Sequence, residues 1–470
     1  MGDEHYDLIV IGSGPAGEKG AAQAAYFGKR VALIEREDAL GGAATNTGTL
    51  PSKTLRETAL HLSGMRQRGF HATENYETGN VSIDDFLFRK RIVTDSERAR
   101  IMVNLENHQV DRIQGKASFI NPHTIQVSND SSSHQLTGDY ILIATGSRPF
   151  HPDNFPFSDD AVFDSDTILT IDKIPATMLI IGAGVIGVEY ACLFSALGVR
   201  VTVVHGSGSI LPFLDREMSR MLEMSMEAMG CKLIFGTRVA KFRCAGKQRE
   251  LQMEDGQIAK ADAILVTTGR QSNVDSLHLK AAGVEAGPRG LIQASEHGQT
   301  NISHIYAAGD VVGFPALAST SMEQARVAMN HAFQFGYKKE FTQLLPFGIY
   351  SIPECSMAGA TEEELEKDNI PYVAGRARYN NNARGMIVGD DIGRLKMLFH
   401  AETKKILGVH IIGEQATELI HTGLTAMMMD ADIGVFIRTC YNYPTLSEMY
   451  KYAAYDALGQ FPEDTQHQEF

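Results

Sequence analysis

The segment "YDLIVIGSGPAGEKGAAQAAYFGKRVALIE", Tyr6–Glu35, decides the fold. An apolar β-type run leads into Gly12-Ser13-Gly14-Pro15-Ala16-Gly17, an Ala-rich helical stretch ends near Gly28, and a second apolar run closes at Glu35. Strand, glycine turn, helix and strand in that order form the dinucleotide-binding unit. Gly12 allows the sharp turn, Gly14 lets a pyrophosphate approach the backbone, and Gly17 lets the helix pack on its strand. The pyrophosphate then meets free N–H groups at the positive helix end. Glu35 stands 18 residues after Gly17, where a carboxylate accepts from both hydroxyls of an adenosine ribose.

A second unit follows: "TMLIIGAGVIGVEYACLFSALGVRVTVVH", with Gly182, Gly184 and Gly187 in the same roles. One such motif is a weak signal, but two in strand-turn-helix context are strong. The apolar stretch from Met178 carries Glu189 in its middle and reads as strand, turn and helix rather than a membrane span. Two further buried strands, "GDYILIATGSRPF" and "ADAILVTTGRQSN", run into turns at Gly146 and Gly269, and "ISHIYAAGDVVG" follows. The polar "SNDSSSHQL" reads as a hairpin loop. From about Leu345 the pattern changes to mixed strands and helices without a glycine loop, and the last residues, "PEDTQHQEF", read as frayed.

A chain of 470 residues suits about three domains. The expected class is α/β, with two Rossmann-like dinucleotide-binding domains and a C-terminal α+β domain. The boundaries read as 1–150 and 271–344 for the first dinucleotide domain, 151–270 for the second and 345–470 for the last. A net charge of −14 argues against nucleic acid and anionic membrane as partners. The N-terminus, "MGDEHYDLIV", has no basic leader region, so a cytoplasmic protein is expected. Cys192, Cys231, Cys244, Cys355 and Cys440 form no CxxC or CxxxxC pair and no zinc spacing, and are expected to be buried free thiols.

In order, "GSGPAG", Pro51-Ser52-Lys53, "ATGSRP", "GAGVIGVE", "TTGR", "TNISHIYAAGD" and "YPTLSE" resemble the FAD/NAD-linked disulfide reductase superfamily, to which glutathione reductase and dihydrolipoamide dehydrogenase belong. The resemblance runs from Tyr6 to about Gly459. It implies FAD at the first loop, with Asp310 on the ribityl chain, and a nicotinamide dinucleotide at the second. It implies a homodimer built on the C-terminal domain. It also places Lys53 beside flavin N5, paired with Glu189. A cation there favours electron density entering the flavin, and the pair neutralises two groups that are costly to bury alone.

Two departures from that family matter. The family's two redox cysteines precede Pro-Ser-Lys, and the matching positions here are Ala44 and Thr49. Its C-terminal His-Glu dyad is matched by Tyr443 and Glu448. A phenol near pKa 10 is a poor proton shuttle at neutral pH. Thiols and relay are missing together, which argues against disulfide reduction. What remains is hydride traffic on the nicotinamide side, with Gly41–Glu57 expected to be a helix that positions Lys53.

Soluble pyridine nucleotide transhydrogenases are most similar within that superfamily, sharing Thr at the position of Thr49 and the "NYPTL" run. NADP(H) and NAD(H) are then both substrates. His205 stands where an NAD-selective site carries an acid. A carboxylate about 4 Å from a 2′-phosphate would be repelled by about 4 kcal/mol at an effective dielectric of 20. His205 removes that repulsion, Ser207 or Ser209 can donate, and the usual arginine clamp is absent between His205 and Ser209. An ordinary imidazole there would lose its charge as pH climbs from about 6.5 toward 8.5. The alternatives are an NAD(P)H diaphorase or quinone reductase, and a flavin-bearing redox sensor without turnover.

Overall fold

The computed structural model describes residues 4–64, 82–130, 132–246, 248–338, 342 and 344–462. The elements that build the site are β1 (Glu4–Ile11), α1 (Pro15–Tyr26), β2 (Val31–Glu35), α2 (Gly42–Asn46), α3 (Thr49–Leu62), β3 (Ser133–Ile143), β4 (Thr177–Ile181), α4 (Val185–Ala196), β5 (Arg200–His205), α5 (Arg216–Ala228), β6 (Lys232–Phe235), β7 (Arg394–His400) and β8 (Ile406–Ile412).

Leu8, Ile9 and Val10 of β1 and Leu33 of β2 are wholly inaccessible. Parallel strands covered on both faces read as continuous apolar runs rather than alternating ones. In the first sheet Asp111–Gln114, β2, β1 and β3 lie side by side and parallel, and the C-terminal half of β3 pairs with Ile305–Ala307. The N-terminal half of β3 instead pairs antiparallel with Thr124–Ser128, which makes the expected hairpin. The second sheet, also parallel, runs β6, β5, β4, Ala263–Val266 and Val162–Phe163. The stretch from Met178 is therefore strand, turn and helix. Among the described residues, no helix is long and apolar enough to cross a membrane.

The strand after Gly146 (Ser147–Pro149) and the strand after Gly269 (Arg270–Ser272) pair with each other, so the exits of the two parallel sheets are tied together. The third unit is an antiparallel sheet ordered Phe347–Ile349, Cys355–Gly359, β8, β7 and Tyr372–Arg378, with helices Ala416–Met428 and Met449–Leu458 packed on it. Of the expected frayed end, all but Pro462 lies outside the described residues.

Two expectations are corrected. Gly41–Glu57 is not one helix: α2 and α3 are separated at Thr47 and Gly48, whose N–H groups both turn back to Ala43 O, at 2.9 and 2.6 Å. Ala44 and Thr49 therefore belong to different helices. Cys192, Cys231 and Cys355 are buried as expected, but Cys244 and Cys440 are exposed. Cys244 sits in a three-stranded antiparallel meander, and Cys440 follows a short helix, Gly434–Arg438.

Candidate active site between two nucleotide loops

The first loop is built by close approach. Gly12 has φ +101°, and a methyl there would stand 2.5 Å from Ala144 O, while a methyl on Gly17 would stand 1.8 Å from Gly12 O. Neither position admits a side chain. Gly14 differs, because the nearest atom to a methyl there is Gly42 Cα at 3.9 Å. Its outer side is open at the N-terminus of α1, where an anion meets unpaired N–H groups. Glu35 Oε2 accepts from the N–H of Ser13 at 2.9 Å and its hydroxyl at 2.6 Å, and Ser13 Oγ accepts from Gly41 N–H at 3.0 Å. The carboxylate is thus held at the loop's edge.

The second loop repeats the design. Gly182 has φ +109° and would clash with Thr267 O at 2.6 Å, a methyl on Gly187 would meet Gly182 O at 2.0 Å, and nothing lies within 4 Å of one on Gly184. His205 occupies the place of Glu35: its Nδ1 accepts the Ala183 N–H at 3.3 Å. That bond requires an unprotonated Nδ1, which puts the proton of the neutral ring on Nε2. Burial lowers the pKa of His205 below the ordinary imidazole value, so its charge change starts lower on the pH scale than the sequence suggested.

Between the loops, Lys53 Nζ on α3 donates to Glu189 Oε2 on α4 at 2.6 Å. Glu189 Oε1 accepts from the Tyr350 N–H at 3.0 Å, and the Tyr350 ring lies 5.0 Å from Lys53 Nζ. The ammonium so has a carboxylate and an aromatic face as neighbours. Arg56, one turn along α3, donates to Ser351 O at 3.0 Å and pairs with Glu354 at 3.2 Å. Three structural units converge on one short helix.

Asp310 Oδ2 accepts from Ser147 Oγ at 2.8 Å, and Ser147 Oγ accepts from Arg270 Nε at 2.7 Å. Arg270 also lies 3.9 Å from Asp166, whose pKa burial raises in spite of that charge. Gly146 (φ +65°) and Gly269 (φ +113°) make the turns that bring Ser147 and Arg270 together. Ser147, Arg270, Ser13 and Tyr350 were not singled out from the sequence. The twin Thr-Gly turns were the available signal for the first two. Tyr443 is largely exposed, and Glu448 accepts from Tyr452 at 3.3 Å.

Residues 6–332 match the pyridine nucleotide-disulphide oxidoreductase family and residues 345–454 its dimerisation domain. The chain belongs to the pyridine nucleotide-disulphide oxidoreductase family. Within this family it is 44% identical to proteins named soluble pyridine nucleotide transhydrogenase from Mycobacterium bovis and Mycobacterium tuberculosis, over 97% of each chain. One of the same name from Colwellia psychrerythraea is 38% identical over 97% of this chain and 98% of its own. Among solved structures, the HOCl-induced flavoprotein disulfide reductase RclA of Escherichia coli matches with a TM-score of 0.88 at 26% identity, covering 97% of this chain and 99% of that one. LpdA of Mycobacterium tuberculosis matches with a TM-score of 0.88 at 26% identity over 96% and 99%.

FAD and NAD(P)H are the cofactors the family implies, and the residues present fit them. Each loop has two glycines closed to any side chain and one open at a helix N-terminus. A carboxylate stands at the far edge of the first loop and an imidazole at that of the second.

Proposed function

We propose that the chain catalyses flavin-mediated hydride transfer between NADPH and NAD⁺, as a soluble pyridine nucleotide transhydrogenase, without a redox-active disulfide. The observation that carries this is selective loss: Lys53 and Glu189 are paired, while Ala44, Thr49 and Tyr443 stand where disulfide chemistry needs two thiols and an imidazole. The relatives' shared name supports it.

Bound FAD supplies a two-electron carrier that takes up a hydride and gives it back. The chain's own residues hold and tune it. Gly12, Gly14, Gly17 and Glu35 would bind its adenosine diphosphate half, with Gly146 and Asp310 toward the ribityl chain. Lys53 would place a positive charge at its reacting edge, and Glu189 would keep that ammonium in place. Gly182, Gly184, Gly187, His205 and Gly269 line the substrate dinucleotide's site. With an imidazole in place of a carboxylate, one pocket serves NADP(H) and NAD(H) in turn. The proposed division is 1–150 with 271–344 for FAD, 151–270 for the substrate dinucleotide and 345–470 for assembly, as a homodimer in the cytoplasm.

Steady-state transfer from NADPH to thio-NAD⁺, with and without a quinone, tests the reading. Direct transfer in the absence of quinone is expected. Quinone reduction without transfer would make the protein a diaphorase, and no turnover at all would leave a flavin-bearing sensor.

A further inference from the structure

The loop after His205 carries no arginine, yet the fold delivers one from elsewhere. Strands β5 and β6 pair in parallel with His205 opposite Phe235. The residues that follow the two strand ends therefore leave the sheet together. Gly236 N–H donates to Ser207 O at 3.2 Å, which fastens the two exits to each other. Arg238 then lies flat on Gly206: a methyl on that glycine would stand 3.0 Å from Arg238 Nε and 3.3 Å from its Cγ. The absence of a side chain at Gly206 is what admits the guanidinium.

Arg238 is exposed, and among the described residues its side chain has neither carboxylate partner nor hydrogen bond. Arg36, which follows Glu35 at the same corner of the first unit, is by contrast paired with Glu37 at 3.1 Å. An arginine without a counter-charge, beside the residue that faces the adenosine ribose, is the arrangement that accommodates a 2′-phosphate. Its planar fork can take two phosphate oxygens and stays charged at every working pH.

We propose that Arg238 is a specificity-determining residue of the second nucleotide site, binding the 2′-phosphate of NADP(H) above His205. This rests on the proposed use of NADP(H) and names a residue that does the discriminating. The dianion would sit between the Arg238 guanidinium and the Ser207–Ser209 loop, with His205 Nε2 beneath it. NAD(H), with a hydroxyl at that place, makes no such contact.

The test is calorimetric titration of the FAD-loaded protein with NADP⁺ and with NAD⁺, neither of which reduces oxidised flavin. In Arg238→Ala the NADP⁺ to NAD⁺ affinity ratio should fall at least tenfold, which is about 1.4 kcal/mol, and the salt dependence of NADP⁺ binding should weaken. Arg238→Lys should retain part of the ratio, as a point charge without the fork. An unchanged ratio in Arg238→Ala, or equal weakening of both ligands, would overturn the assignment while leaving the transhydrogenase reading intact. Failure of the unmodified protein to bind NADP⁺ would instead overturn the reading on which it rests.

Discussion

Lys53 Nζ and Glu189 Oε2 lie 2.6 Å apart although 136 residues separate them in the chain. The glutamate side chain is 8% exposed and the lysine 25%. Removing either charge strands the other in a partly dry site, which is the expensive way to break an ion pair. Glu189→Gln keeps an oxygen for the Tyr350 N–H and removes only the charge. With Lys53 no longer anchored, reduction of the flavin by NADPH should slow by at least tenfold, about 1.4 kcal/mol, while flavin content stays near that of the parent. Anaerobic stopped-flow reduction measures both. An unchanged rate would show that the pair is structural only.

The open side of Gly14 has a consequence for flavin retention. A methyl there touches nothing closer than 3.9 Å in the protein, so Gly14→Val should fold and fill the space left for the pyrophosphate. The unmodified protein should carry one non-covalent FAD per chain. The variant should purify with much less, read as the ratio of flavin to protein absorbance. Full flavin content would relocate the FAD site.

Thiol chemistry should be irrelevant to turnover. Cys192, Cys231 and Cys355 are buried, which raises the pKa of each thiol and keeps it neutral and unreactive. Cys244 and Cys440 are exposed and should be alkylated under native conditions without loss of NADPH-to-thio-NAD⁺ transfer. Mass spectrometry counts the adducts and a parallel assay reads activity. Robust NADPH-dependent reduction of glutathione disulfide or lipoamide would contradict the functional reading.

What the sequence discloses here depends on how local the physics is. Gly12, Gly17, Gly182 and Gly187 are legible because turn geometry and helix-strand contact are settled within a few residues. Glu35 and His205 are legible because each ends the strand after its loop. The break at Thr47 and Gly48 has a local signal in Pro51, which cannot donate to Thr47 O in a continuous helix but fits the first turn of α3; the capture of both N–H groups by Ala43 O is what no short window encodes. Tyr350 and Arg238 are brought in by strand register and domain docking, which no short window of residues encodes.

Lys396 is a further case of the same kind, and it matters for stability. It is fully buried on β7 and pairs at 2.7 Å with Asp215, the N-cap of α5, and at 2.7 Å with Glu362; Glu217 is 3.3 Å away. Burial alone would raise the pKa of Asp215 and of Glu217, but the neighbouring cations prevail and both are lowered. Carboxylates with depressed folded pKa values stabilise above their unfolded pKa and lose that contribution as pH falls through the folded one. Unfolding should therefore become easier below the ordinary carboxylate range near pH 4. Lys396→Met strips buried Asp215 of its ammonium partner, while Glu217 and Glu362 keep Arg376 and Arg394, and should cost about 3–5 kcal/mol. A thermal scan should show a clear loss in the variant, and Asp215→Asn in the same background should recover part of it. An unaltered melting temperature would mean the cluster is solvated.

The last expectation concerns pH and cofactor choice at His205. In the free protein its Nδ1 accepts from Ala183 and burial lowers its pKa, so the neutral ring already predominates at the ordinary imidazole value. A bound 2′-phosphate favours the imidazolium, so the pKa in the NADP(H) complex lies above that in the free protein. Between those two values binding takes up a proton, and NADP(H) affinity falls as pH rises. Because the free-protein value is depressed, that decline should begin below pH 6.5, the ordinary imidazole value. Arg238 keeps its charge throughout, so a pH-independent preference should remain on the alkaline side. NAD(H) offers only a hydroxyl, and its affinity should vary little. His205→Glu restores a ribose acceptor and a repulsion, and should shift preference toward NAD(H) by at least tenfold, about 1.4 kcal/mol. Dissociation constants of NADP⁺ and NAD⁺ from pH 5.5 to 8.5 on both proteins decide the matter. An NADP⁺ to NAD⁺ ratio that is the same in parent and variant would place the discrimination elsewhere in the pocket.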